Sequence, residues 1–191
     1  MTLALIVLLP LVGAAIPVLA ARGGRDRAAW TAGILTLTAL GLLLSIAGEV
    51  LAGNTIRASW PWIPAIGWNA SFMLDGLGLL FALLILGIGA LIVLYARNYL
   101  PNSDDLGRFY AYLLVFMGAM LGVVLSDNML LLVVFWELTS VSSFLLIGYS
   151  SDAREGREGA RMALAVTGAG GLALLGGVLV LGHIVGSYEL S

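Results

Sequence analysis

One carboxyl group stands alone in an apolar run. Residues 128 to 149, NMLLLVVFWELTSVSSFLLIGY, are 22 residues with a single full charge, Glu137, near the middle. At roughly 1.5 Å per helical residue the run spans about 33 Å, enough to cross a hydrocarbon core, and it places Glu137 near the bilayer midplane. An acidic residue there costs roughly 2.5 to 3.5 kcal/mol on insertion scales, so such groups face protein or water and mark proton or ion routes. Proton uptake and release is the chemistry such a group can do. The rival reading is a neutral Glu137 bonded to a neighbouring helix. Ser140, nearly a turn away on the same face, would then help to satisfy it.

Four further groups are secondary candidates. Asp75 opens an apolar span at Asp75-Gly76, where a carboxylate caps a helix at least as readily as it conducts. Asp127, in the tight turn Ser126-Asp127-Asn128, is expected to cap the Glu137 helix. Glu49 and His183 fall at the outer ends of their spans, as interfacial groups do. Asn69-Ala70-Ser71 fits the glycosylation pattern, a triplet common by chance.

The elements that must hold these groups are membrane spans. Hydrophobic residues make up 61% of the chain and charged residues 10%, and the mean hydropathy is +1.05, which excludes an ordinary soluble domain. Period-two alternation sustained enough for a membrane barrel is missing, so the expected fold is all-α, a polytopic transmembrane bundle within a single membrane domain, 1 to 191. Six helices are expected at about 3 to 21, 29 to 52, 74 to 97, 109 to 125, 128 to 149 and 160 to 183. The stretch 53 to 73, with Trp60, Trp62, Trp68, Pro61 and Pro64, reads as a non-helical loop in the interfacial aromatic belt. Ala165, Ala169, Ala173 and Gly177 recur every fourth residue, a stripe that lets another helix approach closely, and Gly168, Gly170 and Gly171 broaden it.

A net charge of −2 gives no reason to expect nucleic acid, and without Cys there is no thiolate metal site. No cofactor motif is present, so the expectation is a chain without cofactor or metal that is not itself an enzyme. All nine basic residues are Arg. Six spans put Arg22, Arg25, Arg27, Arg97, Arg108, Arg154, Arg157 and Arg161 on one side and Arg57 on the other. By the positive-inside rule both termini lie outside the cytoplasm.

The run SDNMLLLVVFWELTSVSSFLLIGY resembles the fifth transmembrane helix of the antiporter-like proteins shared by Mrp sodium/proton antiporters and respiratory complex I. FMLDGLGLLFALLILGIGALIVLYARNYL is similar to their third helix, and ARMALAVTGAGGLALLGGVLVL to the sixth helix of the Mrp large subunit. Complex I relatives more often carry a Gly-rich segment where this chain has Trp136-Glu137-Leu138-Thr139-Ser140-Val141-Ser142-Ser143, so the resemblance is strongest to the N-terminal part of the Mrp large subunit. It implies a bacterial cell-membrane protein that exchanges Na+ for H+ together with other membrane subunits of a hetero-oligomeric antiporter. The alternatives are a proton-pumping subunit of a complex I or hydrogenase-type redox complex, and a non-conducting structural fragment.

In that family the Glu at the position of Glu137 is paired with a Lys on a later, broken helix. This sequence has no Lys. The expectation is therefore a partial chain that carries the Glu half of a Glu-Lys axis.

The Arg asymmetry predicts cytoplasmic loops at 22 to 28, 98 to 108 and 150 to 159. A single Cys at Gly156 is expected to resist a membrane-impermeant thiol reagent in intact cells, and one at Gly67 to react; the reverse pattern inverts the topology.

Overall fold

The computed structural model describes residues 1 to 63, 68 to 101, 105 to 149 and 154 to 191. Residues 64 to 67, with Pro64 and Gly67, the middle of the loop expected at 98 to 108 and the start of the one expected at 150 to 159 lie outside the described residues. In order, the elements are α1 (Thr2–Gly13), α2 (Ala15–Ala21), α3 (Arg25–Leu51), β1 (Ile56–Ile63), β2 (Trp68–Leu74), α4 (Gly76–Tyr99), α5 (Leu106–Leu125), α6 (Met129–Ile147) and α7 (Arg154–Val185). Six spans are long and apolar enough to cross a membrane, with α1 and α2 forming one of them. The protein is a multi-pass helical membrane protein.

Local chemistry explains where the boundaries depart from the expected ones. The first span breaks at Ala14 because Pro17 has no N–H to give the carbonyl of Gly13. Helix α3 starts four residues before the expected 29, after Gly24 at φ +125, and Asp26 in its first turn suits the positive end of the helix. Helix α7 starts at Arg154 instead of about 160, since Arg, Glu and Ala are good helix formers although their charges read as a loop. Asp75 and Asp105 cap α4 and α5, their Oδ1 atoms accepting from Gly78 N at 2.7 Å and Arg108 N at 3.2 Å.

The stretch expected to be a surface loop is an antiparallel hairpin. Ile56, Ala58 and Trp60 are half-buried while Arg57, Ser59 and Pro61 face outward or lie shallower, a period-two pattern masked by the Trp and Pro content. Ser59 and Ser71 sit opposite each other and their hydroxyls bond at 2.8 Å. Pro61 is tolerated because β1 is the free edge of a two-stranded sheet. The sheet is extended on its β2 side: Phe72 bridges to Ser126, Asp127 N donates to Ser71 O at 2.9 Å, and Asn128 bridges in turn to Glu189. The hairpin, the turn between α5 and α6 and the segment after α7 are thus stitched together on one side of the membrane.

On the opposite, Arg-rich side, Arg25 donates to the carbonyls of Leu100 and Pro101, and Arg97 Nε lies 3.0 Å from Asp26 Oδ1. Helix α5 is the centre of the bundle. Half of its span is buried, against 11% for the Gly156–Val185 span at the periphery. Tyr110 is fully buried on α5 and its hydroxyl donates to Val93 O of α4 at 2.9 Å.

Two glycines let α5 serve as the hub. A Cβ at Gly118 would press on the Leu11 side chain of α1, and one at Gly122 would penetrate the Phe135 ring of α6. This Gly-x-x-x-Gly pair is a closer contact motif than the stripe singled out on α7. Phe135 is buried and also meets Phe72, so its ring has little room to retreat. Gly122→Ala is therefore expected to destabilise the folded protein by about 1 to 3 kcal/mol, as overpacking does. Gly87→Ala, where nothing lies within 4 Å of the new methyl, should be neutral. Loss of helical signal on denaturation in detergent compares the two.

Candidate ion-pathway site

Helix α6 begins at Asn128, not at Asp127. Asn128 has extended backbone and its Oδ1 accepts from Leu130 N at 3.0 Å and Leu131 N at 3.2 Å. The expected cap thus moves one residue along. Asp127 is 5% exposed, and its Oδ2 accepts from the Ser191 hydroxyl at 2.6 Å.

Phe135, seated against Gly122, fixes the rotation of α6 about its axis and sends Glu137 toward α7. There it meets Gly171. A Cβ on Gly171 would collide with Glu137 Oε1 and crowd Trp136, so only a glycine allows the carboxyl group into the α6–α7 seam. Glu137 Oε1 is buried there and has no hydrogen-bond partner among the described residues. Buried polar oxygens are nearly always bonded, so a carboxyl oxygen without a protein donor in this seam is held there by packing at a cost in free energy.

The neighbouring hydroxyls do not complete it. Ser140 is buried, and its Oγ donates to Trp136 O at 3.3 Å instead of to Glu137. Thr139 donates to Trp136 O at 2.6 Å and Ser142 to Leu138 O at 2.7 Å. On α7, Thr167 donates to Ala163 O at 2.8 Å. Hydroxyls in helices take this local bond when no better partner is in reach. The expectation that Ser140 satisfies Glu137 is corrected accordingly.

The secondary candidates are not gathered around Glu137. Asp75 is the α4 cap, Glu49 is exposed in the last turn of α3, and His183 is exposed in the last turn of α7. Asp127 belongs to a separate polar cluster at the stitched side, which residue spacing did not reveal. Asn69 Nδ2 and Asn128 Nδ2 both donate to Glu189 Oε1, at 2.8 and 3.0 Å. Glu189 lies 120 and 61 residues along the chain from these two donors, beyond any local motif. Asp127 Oδ1 and Trp68 Nε1 are buried without hydrogen-bond partners among the described residues. Because its carboxamide is engaged, Asn69 is a poor glycan acceptor. Among the described residues no three Asp, Glu or His side chains gather as a metal site requires.

The small-residue stripe also turns out to face differently. Ala165, Ala169, Ala173 and Gly177 are exposed, whereas Gly171, Val178 and Gly182 form the buried face of α7. Among the described helices α7 packs substantially only on α6.

Residues 62 to 110 match the family described as NADH-ubiquinone oxidoreductase (complex I), chain 5 N-terminus, and residues 126 to 191 match the family described as NADH:quinone oxidoreductase/Mrp antiporter, TM. The second match contains both Glu137 and Gly171. The chain belongs to the antiporter-like membrane family shared by Mrp complexes and complex I. It is 45% identical over 188 residues to the A/B subunit of a probable K(+)/H(+) antiporter of Rhizobium meliloti, covering 98% of this chain and 19% of that protein. It is 46% identical over 185 residues to the A1 subunit of a Na(+)/H(+) antiporter of Staphylococcus aureus, covering 96% of this chain and 23% of that protein. The chain thus spans about a fifth of the length of these curated relatives. Among solved structures, the Mrp complex of Dietzia sp. DQ12-45-1b contains a chain that superposes with a TM-score of 0.86 at 35% identity, over 99% of this chain and 20% of that one. A chain of an archaeal membrane-bound sulfane sulfur reductase shares the fold at a TM-score of 0.79 and 20% identity, over 100% of this chain and 29% of that one.

Gly171→Ala tests the seam in this antiporter-like chain. The added methyl should expel the Glu137 carboxyl group and change its accessibility, whereas Gly170→Ala, which meets nothing within 4 Å, should not. Rates of carbodiimide modification of Glu137, followed by peptide mass, are expected to differ severalfold for the first variant and to match wild type for the second.

Proposed function

We propose that this chain is the N-terminal part of the large subunit of a multi-subunit cation/proton antiporter of the Mrp type, working with other membrane subunits in a bacterial cell membrane. One observation carries the reading: a lone carboxyl group at mid-membrane depth, held between two helices with an oxygen that no described residue bonds. Such a group can alternate between a protonated state and an ionised state compensated by a cation or by water. Glu137 is the proton-accepting residue. Ser140 neighbours Glu137 without bonding it, and Asp75, Asp127, His183 and Glu49 lie away from it, toward helix ends, as secondary points of the route.

Exchange needs a second, positive partner for the carboxylate, because ionising a buried acid without one is costly. The nine Arg side chains of this sequence belong to helix ends or the hairpin, and it contains no Lys. The positive partner is a Lys supplied by another segment or another protein of the complex. The 45 and 46% identical relatives bear the names of K(+)/H(+) and Na(+)/H(+) antiporter subunits, which supports alkali-cation exchange over a pump in a redox complex, and sodium is the cation proposed first. The Arg-rich side faces the cytoplasm and both ends of the chain face away from it.

In the assembled transporter, Glu137→Gln is expected to abolish or sharply reduce sodium-dependent proton movement in everted vesicles at unchanged protein level. Glu137→Asp should do less harm. Wild-type exchange in the Gln variant would reduce the carboxyl group to a structural role, and potassium-driven exchange exceeding sodium-driven exchange would reassign the cation.

A further inference from the structure

On the Arg-rich side, the ends of α5, α6 and α7 enclose a cavity of about 210 Å³ remote from the Glu137 seam. Its charged rim is Arg108 from the first turn of α5 and Arg157 and Arg161 from α7, one turn apart on the same face. Its wall is apolar, formed by Phe144 and Leu145 of α6 and Ala160 of α7. The described lining residues include no carboxylate; Asp105, the cap of α5, lies near enough to Arg108 to interact with it, and Arg157 has an interaction of its own, so Arg108 and Arg161 are the cations that carry the site. A Cβ at Gly148 would lie 3.6 Å from Ala160 Cβ, an ordinary contact that brings the end of α6 and the start of α7 together beside the site.

Arg108 is oriented for a ligand. Its Nε and Nη2 donate to the Tyr112 hydroxyl at 3.4 and 3.2 Å, with the guanidinium carbon 5.7 Å from the centre of that ring. This holds the planar group in one pose and leaves Nη1 without a partner among the described residues. A guanidinium held in this way matches phosphate oxygens, and two further Arg residues on one helix face add charge.

We propose that this cavity binds the phosphate headgroup of an anionic phospholipid. Its place at the ends of three spans is where headgroups lie, and basic pockets between transmembrane helices take such lipids. The apolar wall suits the glycerol and upper acyl chain, and exposed apolar side chains adjoin the lining residues in sequence: Met162 next to Arg161 is 71% exposed and Ile147 next to Gly148 is 45% exposed. A soluble phosphate would find the rim but leave this wall bare. The lipid therefore joins the start of α7 to α5 and α6, independently of what Glu137 does.

The test uses the intact protein containing this chain, extracted from its native membrane, delipidated in detergent and titrated with phosphatidylglycerol or phosphatidylcholine while bound lipid is counted by native mass spectrometry. Wild type should take phosphatidylglycerol in preference, and R108Q/R161Q should bind it about thirtyfold more weakly, the effect of removing two interfacial arginines. R27Q, on the same side but outside the cavity, should match wild type. R108K/R161K keeps the charge and should retain most of the preference, which keeps the test open if the Gln variant unfolds. Equal binding of the two lipids overturns the proposal, as does a Gln variant that folds and binds like wild type, an equal loss in R27Q, or loss of the preference in the Lys variant. Displacement of the lipid by millimolar inorganic phosphate would reassign the cavity to a soluble anion and also overturn it.

Discussion

A buried carboxyl oxygen that no described residue bonds is the constraint on which the middle of this protein depends. A membrane interior has no water to relieve such a group, so it persists only where surrounding packing fixes it. That packing is traceable residue by residue. Gly122 admits the Phe135 ring, the ring sets the rotation of α6, the rotation points Glu137 at α7, and Gly171 leaves the space that receives it. Hydroxyls on both helices turn back to their own backbones and leave the carboxyl group alone.

The same seam explains the division of the bundle. Helices α1 to α5 form a compact group around α5, with α6 as the intermediate layer and α7, among the described residues, packed mainly on α6. A charged or proton-exchanging group belongs where packing is thinner, because a dense hydrocarbon core offers neither water nor space for an alternative side-chain position. The stitched sheet at one side holds this thinner layer in register with the rest.

Much of this was legible in the sequence. Glu137 stood out because a membrane span tolerates so few charges, and the six spans followed from apolar length. The Asp75 cap followed from a carboxylate placed before a helix-starting Gly. Other features depended on distance in space. Nothing local tells Gly171 from Gly170, yet one faces Glu137 and the other faces outward. Spacing by four drew the eye to Ala165, Ala169, Ala173 and Gly177, whereas the face α7 presents to α6 holds Gly171, Val178 and Gly182. Asp127 and Asn128 are equally good caps by type, and only the backbone at the turn decides between them. The hairpin was hidden because Trp and Pro signal an interface more loudly than a short alternation signals a strand.

Helix α6 is fastened at both ends. At one, Met129 N donates to Tyr188 O at 2.8 Å; at the other, the Tyr149 hydroxyl donates to Asp105 O at 2.9 Å. A rod anchored in this way resists sliding along its own axis, so a piston stroke of α6 would break bonds at both membrane faces at once. With those bonds intact, the Glu137 carboxyl group moves by torsion about its own side-chain bonds, and its reach is the length of one glutamate.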